Sequence, residues 1–150
     1  MVDVGGKPEV LREAVAEGFI KLRTGTVDRI RSGKVEKGDV FGVARVAGVL
    51  AAKRTSGLVP LCHPLRLTDV DVALEVVDRE LVKVEARVGA VERTGVEMEA
   101  LVAVSVALLT VWDMVKQYEK DEAGQYPVTR IEGVRVVRKV KGDGEYCMRV

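Results

Sequence analysis

The apolar segment between residues 94 and 121 constrains the fold more than any other stretch of the chain. From residue 96 to residue 118 it contains no proline and no glycine, and alanine, leucine, methionine and valine dominate it. A run of this length is far longer than a typical strand and therefore predicts an α-helix. Because most of its circumference is apolar, we expect this helix to be buried on most sides.

The charged residues of this helix lie near its two ends. Glu97 and Glu99 stand in the first turn, and Lys116 stands near the last turn. These positions complement the helix dipole, so the three residues do not by themselves indicate a functional site. Asp113 is different because a tryptophan and a methionine flank it in an apolar setting. We expect it to be buried, where a carboxylate needs a partner.

Composition and charge limit the classes of protein to which the chain can belong. Its 150 residues predict a single domain over 1–150 with a real core. Charged residues make up 31% of the chain and the formal net charge is +1, so binding to nucleic acid or to a membrane surface is not predicted. The longest apolar run carries acids at its ends, which argues against a membrane span.

The cytoplasm is the predicted location. Asp3 and Glu9 interrupt the start of the chain, which therefore does not look like a secretory signal peptide. Cys62 and Cys147 are too few for a disulfide scaffold. The sequence lacks asparagine and is rich in Glu, Arg and Val, a bias that fits a thermophilic source.

The first segment, residues 10–22, fits two kinds of secondary structure. Its apolar residues form a helical stripe, but alternate residues also form an apolar strand face that Arg12 interrupts. Periodicity slightly favours the helix, whereas Gly18 counts against it. Residues 26–32 then predict a short helix that stops at Gly33.

A further helix is predicted from Asp39, a good N-cap, to about residue 54. Lys37 lies just before its N-terminus, where backbone N–H groups can bind an anion. Lys53 and Arg54 lie at its end. A lone lysine before a helix is usually only solvated, so Lys37 needs support from elsewhere in the sequence.

Residues 55–65 are predicted to form a loop that contains His63, the single histidine of the chain. Pro64 keeps His63 out of helical geometry and restricts the backbone around it. Cys62 and His63 are neighbours without a second ligand cluster, which is poor spacing for zinc, so no metal site is predicted. A Cys–His nucleophile pair is also disfavoured because neighbours in an extended segment point to opposite faces.

Two strands, each with one face exposed to solvent, are predicted after this loop. Apolar residues alternate with charged residues over 69–76 and again over 82–88, and residues 78–80 join the two runs. The pattern predicts an antiparallel hairpin. Residues 134–140 predict a last strand, and the glycine-rich tail from about residue 142 is expected to be flexible. This order of elements predicts an α+β domain with helices on one face of an antiparallel sheet.

Five motifs keep the order and spacing found in one known family. They are Lys37-Gly-Asp-Val-Phe, Ala51-Ala-Lys-Arg-Thr, Pro60-Leu-Cys-His-Pro-Leu, Thr94-Gly-Val-Glu-Met-Glu-Ala-Leu and Asp113-Met-Val-Lys. Together with the opening Met1-Val-Asp-Val, they resemble the cyclic pyranopterin monophosphate synthases, the molybdenum cofactor biosynthesis protein C family. The resemblance covers about residues 1–140.

The resemblance implies a ferredoxin-like α+β core and a homohexamer built as a trimer of dimers. It also implies that the first segment is a long strand, which we adopt over the periodicity. The implied enzyme is a lyase that converts (8S)-3′,8-cyclo-7,8-dihydroguanosine 5′-triphosphate into cyclic pyranopterin monophosphate and releases pyrophosphate. This chemistry has no redox step, so no organic cofactor is expected, although Mg²⁺ can accompany the substrate triphosphate.

The resemblance also assigns roles to individual residues. Asp113 is the candidate for general acid–base catalysis, with Lys37 and Lys116 as its catalytic companions. The substrate-binding positions of the family fall on Leu61, Cys62, His63, Glu97, Met98 and Glu99. We add Lys53 and Arg54 as phosphate contacts, because displacing pyrophosphate requires cations. A lysine in the family's last segment corresponds here to Lys139 or Lys141.

One straight helix does not bring all of these residues to one small substrate. Glu99 and Asp113 are 14 positions apart, which places them about 21 Å apart along the helix axis, although they lie within roughly 40° of one face. The resemblance nevertheless assigns both ends of the helix to substrate chemistry. We therefore predict that two subunits pack their long helices antiparallel and share each active site.

Two other functions compete with the enzyme. A non-catalytic ferredoxin-like module, which binds a small ligand and regulates a partner, would carry its charges mainly on solvent faces. A purely structural oligomer would tolerate replacement of His63 and Asp113. The ordered motifs and the apolar context of Asp113 favour the enzyme.

Overall fold

A four-stranded antiparallel sheet organises the fold. The computed structural model describes residues 1–142. Its elements are β1 (Val10–Lys21), α1 (Thr24–Ser32), α2 (Val40–Ala52), α3 (Thr55–Leu58), β2 (Leu67–Val76), β3 (Leu81–Glu92), α4 (Glu97–Glu119) and β4 (Arg130–Gly142). The tail beyond Gly142, which the sequence predicts to be flexible and which contains Cys147, lies outside the described residues.

The strands have the order β2-β3-β1-β4, and every neighbouring pair is antiparallel. β2 and β3 form the predicted hairpin, in which buried valines alternate with exposed or half-buried charged residues. α4 packs on β1, β3 and β4, while α2 packs on β2 and on α4. The predicted ferredoxin-like α+β fold is therefore confirmed.

The first segment is the strand β1, so the family resemblance was right about it and the helical periodicity was wrong. β1 lies in the middle of the sheet and is buried along most of its length. On its outer face Glu13 and Glu17 are covered by ion pairs with Arg138 and Arg135 of β4. Because both faces are covered, the strand lacks the apolar–polar alternation that identifies a half-buried strand.

α4 crosses the inner face of β1 at close range. A Cβ atom placed on Gly18 would come within 2.8 Å of Leu108 Cδ1 and 2.9 Å of Val104 Cγ1. Glycine is therefore required in β1, where it lets the helix approach the sheet backbone. The carboxyl group of Glu119 at the end of α4 is fully buried and accepts a hydrogen bond from the backbone N–H of Arg23 at 3.0 Å. This contact fastens the end of α4 to the start of α1.

The prediction that α4 is buried on most sides is only partly correct. The helix is long and apolar enough to cross a membrane by length and composition, but half of its most apolar window is buried inside the fold. Met98 and Leu109 remain 39% and 57% exposed. One apolar side of α4 is therefore left uncovered within a single chain.

The helices before the hairpin agree with the sequence except for one short turn. Asp39 caps α2, because its side chain accepts a hydrogen bond from the N–H of Gly42 at 3.0 Å. α1 ends at a left-handed Gly33 as predicted. The predicted loop over 55–65 instead begins with α3, in which the buried Thr55 hydroxyl donates to the carbonyl of Ala52 at 3.0 Å. This hydrogen bond ties the start of α3 to the end of α2.

Candidate active site

Two lysines and one aspartate meet near the C-terminal end of α4. The Nζ atom of Lys37 lies 3.0 Å from Oδ2 of Asp113 and 2.9 Å from the backbone carbonyl oxygen of the same residue. The Nζ atom of Lys116, one helical turn further along α4, lies 2.9 Å from the other carboxylate oxygen. Each carboxylate oxygen therefore faces one ammonium group. The three residues predicted to be catalytic form one cluster.

Asp113 is not buried, contrary to the sequence prediction. Its side chain is 58% exposed in the single chain. α4 packs one side against the sheet and another against α2, and Asp113 shares the remaining side with Leu109, one turn earlier. The expectation that this acid needs partners is met by the two lysines rather than by groups in the core.

The lysines set the ionisation of the cluster. Hydrogen bonding from Lys116, and then from Lys37, lowers the pKa of Asp113 below its usual range. The hydrogen bond to Asp113 in turn raises the pKa of Lys116. At neutral pH the cluster is therefore a carboxylate between two ammonium groups. A carboxylate in this state can accept a proton, and the ammonium groups can stabilise negative charge on a bound substrate.

A cavity of about 380 Å³ opens at the opposite end of α4. All six residues assigned by resemblance to substrate binding line it, namely Leu61, Cys62, His63, Glu97, Met98 and Glu99. The loop after α3 supplies the first three, and the first turn of α4 supplies the others. Val2 and Val4 of the N-terminal segment form a further wall of the cavity. We call this space the apolar-walled cavity.

Burial changes the acidity of two groups in this cavity. Glu99 is only 4% exposed, and burial, followed by the nearby charge of Glu97, raises its pKa. Burial also raises the pKa of the Cys62 thiol. A glutamic acid that retains its proton more strongly can donate a hydrogen bond or a proton to a ligand.

Glu97 stands beside Glu99 but differs from it in charge. Burial raises its pKa, but an ion pair with Lys139 and other contacts more than offset this, and the net shift is downward. Glu97 is therefore an ionised carboxylate that pairs with a lysine of β4. Of the two candidate lysines of the last segment, Lys139 pairs with Glu97, and which of the two fills the family's lysine role stays a prediction.

A second cavity of about 350 Å³ adjoins the first and is strongly basic. The two cavities share Lys7, Thr94, Gly95 and Glu97. The cationic lining residues of the second are Lys7, Arg12, Arg93, Lys139 and Lys141, and within residues 1–142 Glu97 is the one acid that lines it. We call it the basic cavity.

The basic cavity was not predicted from the sequence. Its cations come from the N-terminal segment, β1, the end of β3 and β4, which the sheet register brings together by pairing Arg12 with Lys141. The signal that could have found it is Arg12, the arginine that interrupts an otherwise apolar strand face. Lys53 and Arg54 are exposed at the end of α2 and line neither cavity. Their phosphate-binding role stays a prediction.

Apart from Lys53 and Arg54, the predicted site residues lie in two separate places of the single chain. The apolar-walled and basic cavities lie at the start of α4, whereas Asp113 lies near its end, roughly 21 Å further along the axis. A shallow depression beside Asp113 is lined by Leu109, Trp112, Lys116 and Ile131. Among residues 1–142, no group of three or more His, Cys, Asp or Glu side chains is arranged to hold a metal ion.

The fold is that of a ferredoxin-like α+β protein, and it carries an acid–lysine cluster and a cation-lined cavity. The sequence model of the MoaC family matches residues 1–142. The chain therefore belongs to the MoaC family.

Named relatives of this chain align with nearly its whole length. The probable cyclic pyranopterin monophosphate synthase of Sulfolobus acidocaldarius is 56% identical over 144 residues, which are 96% of this chain and 100% of that protein. The protein of the same name from Thermococcus onnurineus is 56% identical over 144 residues, 96% of this chain and 92% of its own. That of Pyrococcus furiosus is 54% identical over 141 residues, 94% and 90% of the two chains. These sources are thermophiles, in agreement with the compositional bias.

Proposed function

We propose that this protein is a cyclic pyranopterin monophosphate synthase, a lyase of molybdenum cofactor biosynthesis. It converts (8S)-3′,8-cyclo-7,8-dihydroguanosine 5′-triphosphate into cyclic pyranopterin monophosphate and releases pyrophosphate. The names of its relatives support this assignment. The structural observation that carries it is the cluster in which Lys37, far away in the chain, meets Asp113 and Lys116.

The cluster supplies the proton transfers that the rearrangement requires. The substrate's ring system must open and close again, and each step moves protons between carbon, nitrogen and oxygen atoms. We assign Asp113 as the base of the cluster because its carboxylate is ionised and accessible. Lys37 and Lys116 hold it in place and can return a proton to the substrate.

The two cavities suit the two halves of the substrate. The apolar-walled cavity takes the bicyclic base, with His63, Met98 and Glu99 as contacts. The basic cavity takes the phosphates, because among residues 1–142 five cations and a single acid line it. Lys7 and Lys141 form no ion pair within residues 1–142, so their charge is available to a ligand. Negative charge that develops on leaving pyrophosphate is stabilised by such preorganised cations.

A second subunit joins the two ends of α4 into one site. Antiparallel packing of two α4 helices would place Asp113 of one chain beside the cavities of the next. The uncovered apolar side of α4, with Met98 at one end and Leu109 near the other, supports this packing. We place the protein in the cytoplasm as a homohexamer, a trimer of such dimers. Its partner molecules are the small substrate and copies of itself.

Incubation of the protein with the cyclised dihydro-GTP intermediate tests the function. The account predicts release of pyrophosphate and formation of the cyclic phosphate product in equal amounts. The alternative of a non-catalytic regulatory module predicts binding of the compound without pyrophosphate release. Addition of Mg²⁺ or of a chelator to the same assay shows whether the triphosphate needs an accompanying metal ion.

A further inference from the structure

The turn that carries Lys37 is fastened to α4 by residues outside the cluster and both cavities. We define the Lys37 turn as residues 35–38, which the N–H of Gly38 closes by donating to the carbonyl of Val35 at 3.1 Å. Gly38 has a φ of +108°, a conformation that side chains other than glycine rarely adopt. The turn therefore has a defined shape before it meets α4.

Tyr118 of α4 holds this turn by its backbone. The N–H of Glu36, next to Lys37, donates to the Tyr118 hydroxyl at 3.0 Å. The guanidinium group of Arg29 in α1 lies 4.6 Å from the centre of the Tyr118 ring, so the ring is held from its face as well. The side-chain amide of Gln117 also reaches the Glu36 carboxylate at 3.2 Å.

The ion pair between Lys37 and Asp113 is too weak to fix the positions of its own two side chains. The two side chains are 44% and 58% exposed, and an ion pair between exposed side chains contributes little to stability. A lysine amine on its flexible stem has many competing rotamers. The position of the Lys37 amine therefore depends on where the backbone of the Lys37 turn is fixed.

We propose that Tyr118 is a positioning residue, whose hydroxyl group fixes the Lys37 turn so that the Lys37 amine stays in register with the Asp113 carboxylate. The proposal rests on the proposed function, because it assigns Tyr118 a role in turnover. Tyr118 does not line the apolar-walled or the basic cavity. It acts through Lys37.

The test is Tyr118→Phe, which removes the hydroxyl and keeps the ring under Arg29. We expect kcat to fall roughly three- to tenfold, the effect of losing one neutral hydrogen bond at the reacting geometry. KM should stay within twofold of the wild type, because both cavities are intact. The Glu36 amide should exchange with solvent about tenfold faster, which is measured without substrate. Ser32→Ala removes another hydroxyl nearby, one that bonds only to carbonyls of its own helix, and should change none of these values.

The outcomes of this test distinguish the positioning role of Tyr118 from the proposed function. Unchanged kcat in Tyr118→Phe, with turnover by the wild type, overturns the positioning role. A fall in kcat with an equal rise in KM or a large drop in the unfolding temperature also overturns it, since a general structural defect would produce that pattern. If the wild type releases no pyrophosphate, the proposed function fails instead, and the exchange rate of the Glu36 amide still reports whether Tyr118 holds the turn.

Discussion

The Lys37 amine lies 3.0 Å from a carboxylate oxygen of Asp113, although the two residues are 76 positions apart in the chain. The contact exists because the turn before α2 docks on the last turns of α4, to which α2 itself is packed. A third charge, that of Lys116, completes the cluster. The first two predictions concern this arrangement.

Asp113→Asn should abolish most of the turnover while the protein folds normally. The amide keeps the shape of the side chain but cannot accept a proton, so we expect kcat to fall about 100-fold or more. Because the side chain is exposed, the unfolding temperature should barely change. Asp71→Asn, on the exposed face of β2, is the matched control and should retain full activity. Turnover close to wild type in the Asp113 variant would rule out its role as the base.

Lys116→Met should raise the pKa of Asp113. The Lys116 hydrogen bond is the largest influence that lowers this pKa, and removing a neighbouring cation makes the carboxylate less stable relative to the acid. Titration of the Asp113 carboxyl carbon by NMR measures the shift without any substrate. The low-pH limb of residual turnover should move to higher pH in the same variant. A carboxyl pKa that stays at the wild-type value would show that Lys116 does not control the charge of Asp113.

Lys7→Met and Lys141→Met should weaken substrate binding through the triphosphate. Each removes a cation of the basic cavity that has no ion-pair partner in residues 1–142, and we expect KM to rise about tenfold in each case. Added salt should raise the wild-type KM by screening the same charges. Lys21→Met, at the far end of β1, is the control. If Lys53→Met and Arg54→Met raise KM while the Lys7 and Lys141 variants do not, the phosphates lie at the end of α2 instead.

Glu99→Gln should lose activity and gain stability at neutral pH. The folded-state pKa of Glu99 is raised above the usual 4.5, so the folded protein holds this proton more strongly than the unfolded chain does. The wild type therefore loses stability as the pH rises above 4.5 and through the folded pKa. Glutamine cannot ionise and lacks this loss. Thermal unfolding of both proteins across this range should show curves that converge at low pH; parallel curves would contradict the raised pKa.

Local sequence patterns correctly predicted the strands that have one solvent-exposed face and the helix that has a side-chain cap. The hairpin strands alternate between apolar and charged residues because one face of the sheet is exposed to solvent. α2 begins after Asp39 because the side chain of Asp39 caps the helix. β1 was misread by periodicity because charged residues such as Glu17 are buried under partners from β4. Only the resemblance, which reflects the whole fold, identified β1 as a strand.

The parts of the site that the sequence missed depend on distant segments meeting. Asp113 was expected to be buried because its neighbours in sequence are apolar, but its exposure depends on which side of α4 faces the sheet. The basic cavity is built by strand register, which pairs Arg12 with Lys141. No spacing within one segment contains that information. The sequence did identify the six substrate-binding candidates that line the apolar-walled cavity. Leu61, Cys62 and His63 stand together in one motif, and Glu97, Met98 and Glu99 stand together in another.

Mixing of two inactive variants tests most directly whether the two ends of α4 form one site across subunits. Asp113→Asn and Glu99→Gln chains are each purified, allowed to exchange subunits, and assayed for pyrophosphate release from the cyclised intermediate. The shared-site account predicts that mixed dimers contain one intact site and regain a fraction of wild-type turnover. Mass spectrometry establishes that mixed dimers have formed. Verified mixed dimers without any recovered turnover would contradict the shared site.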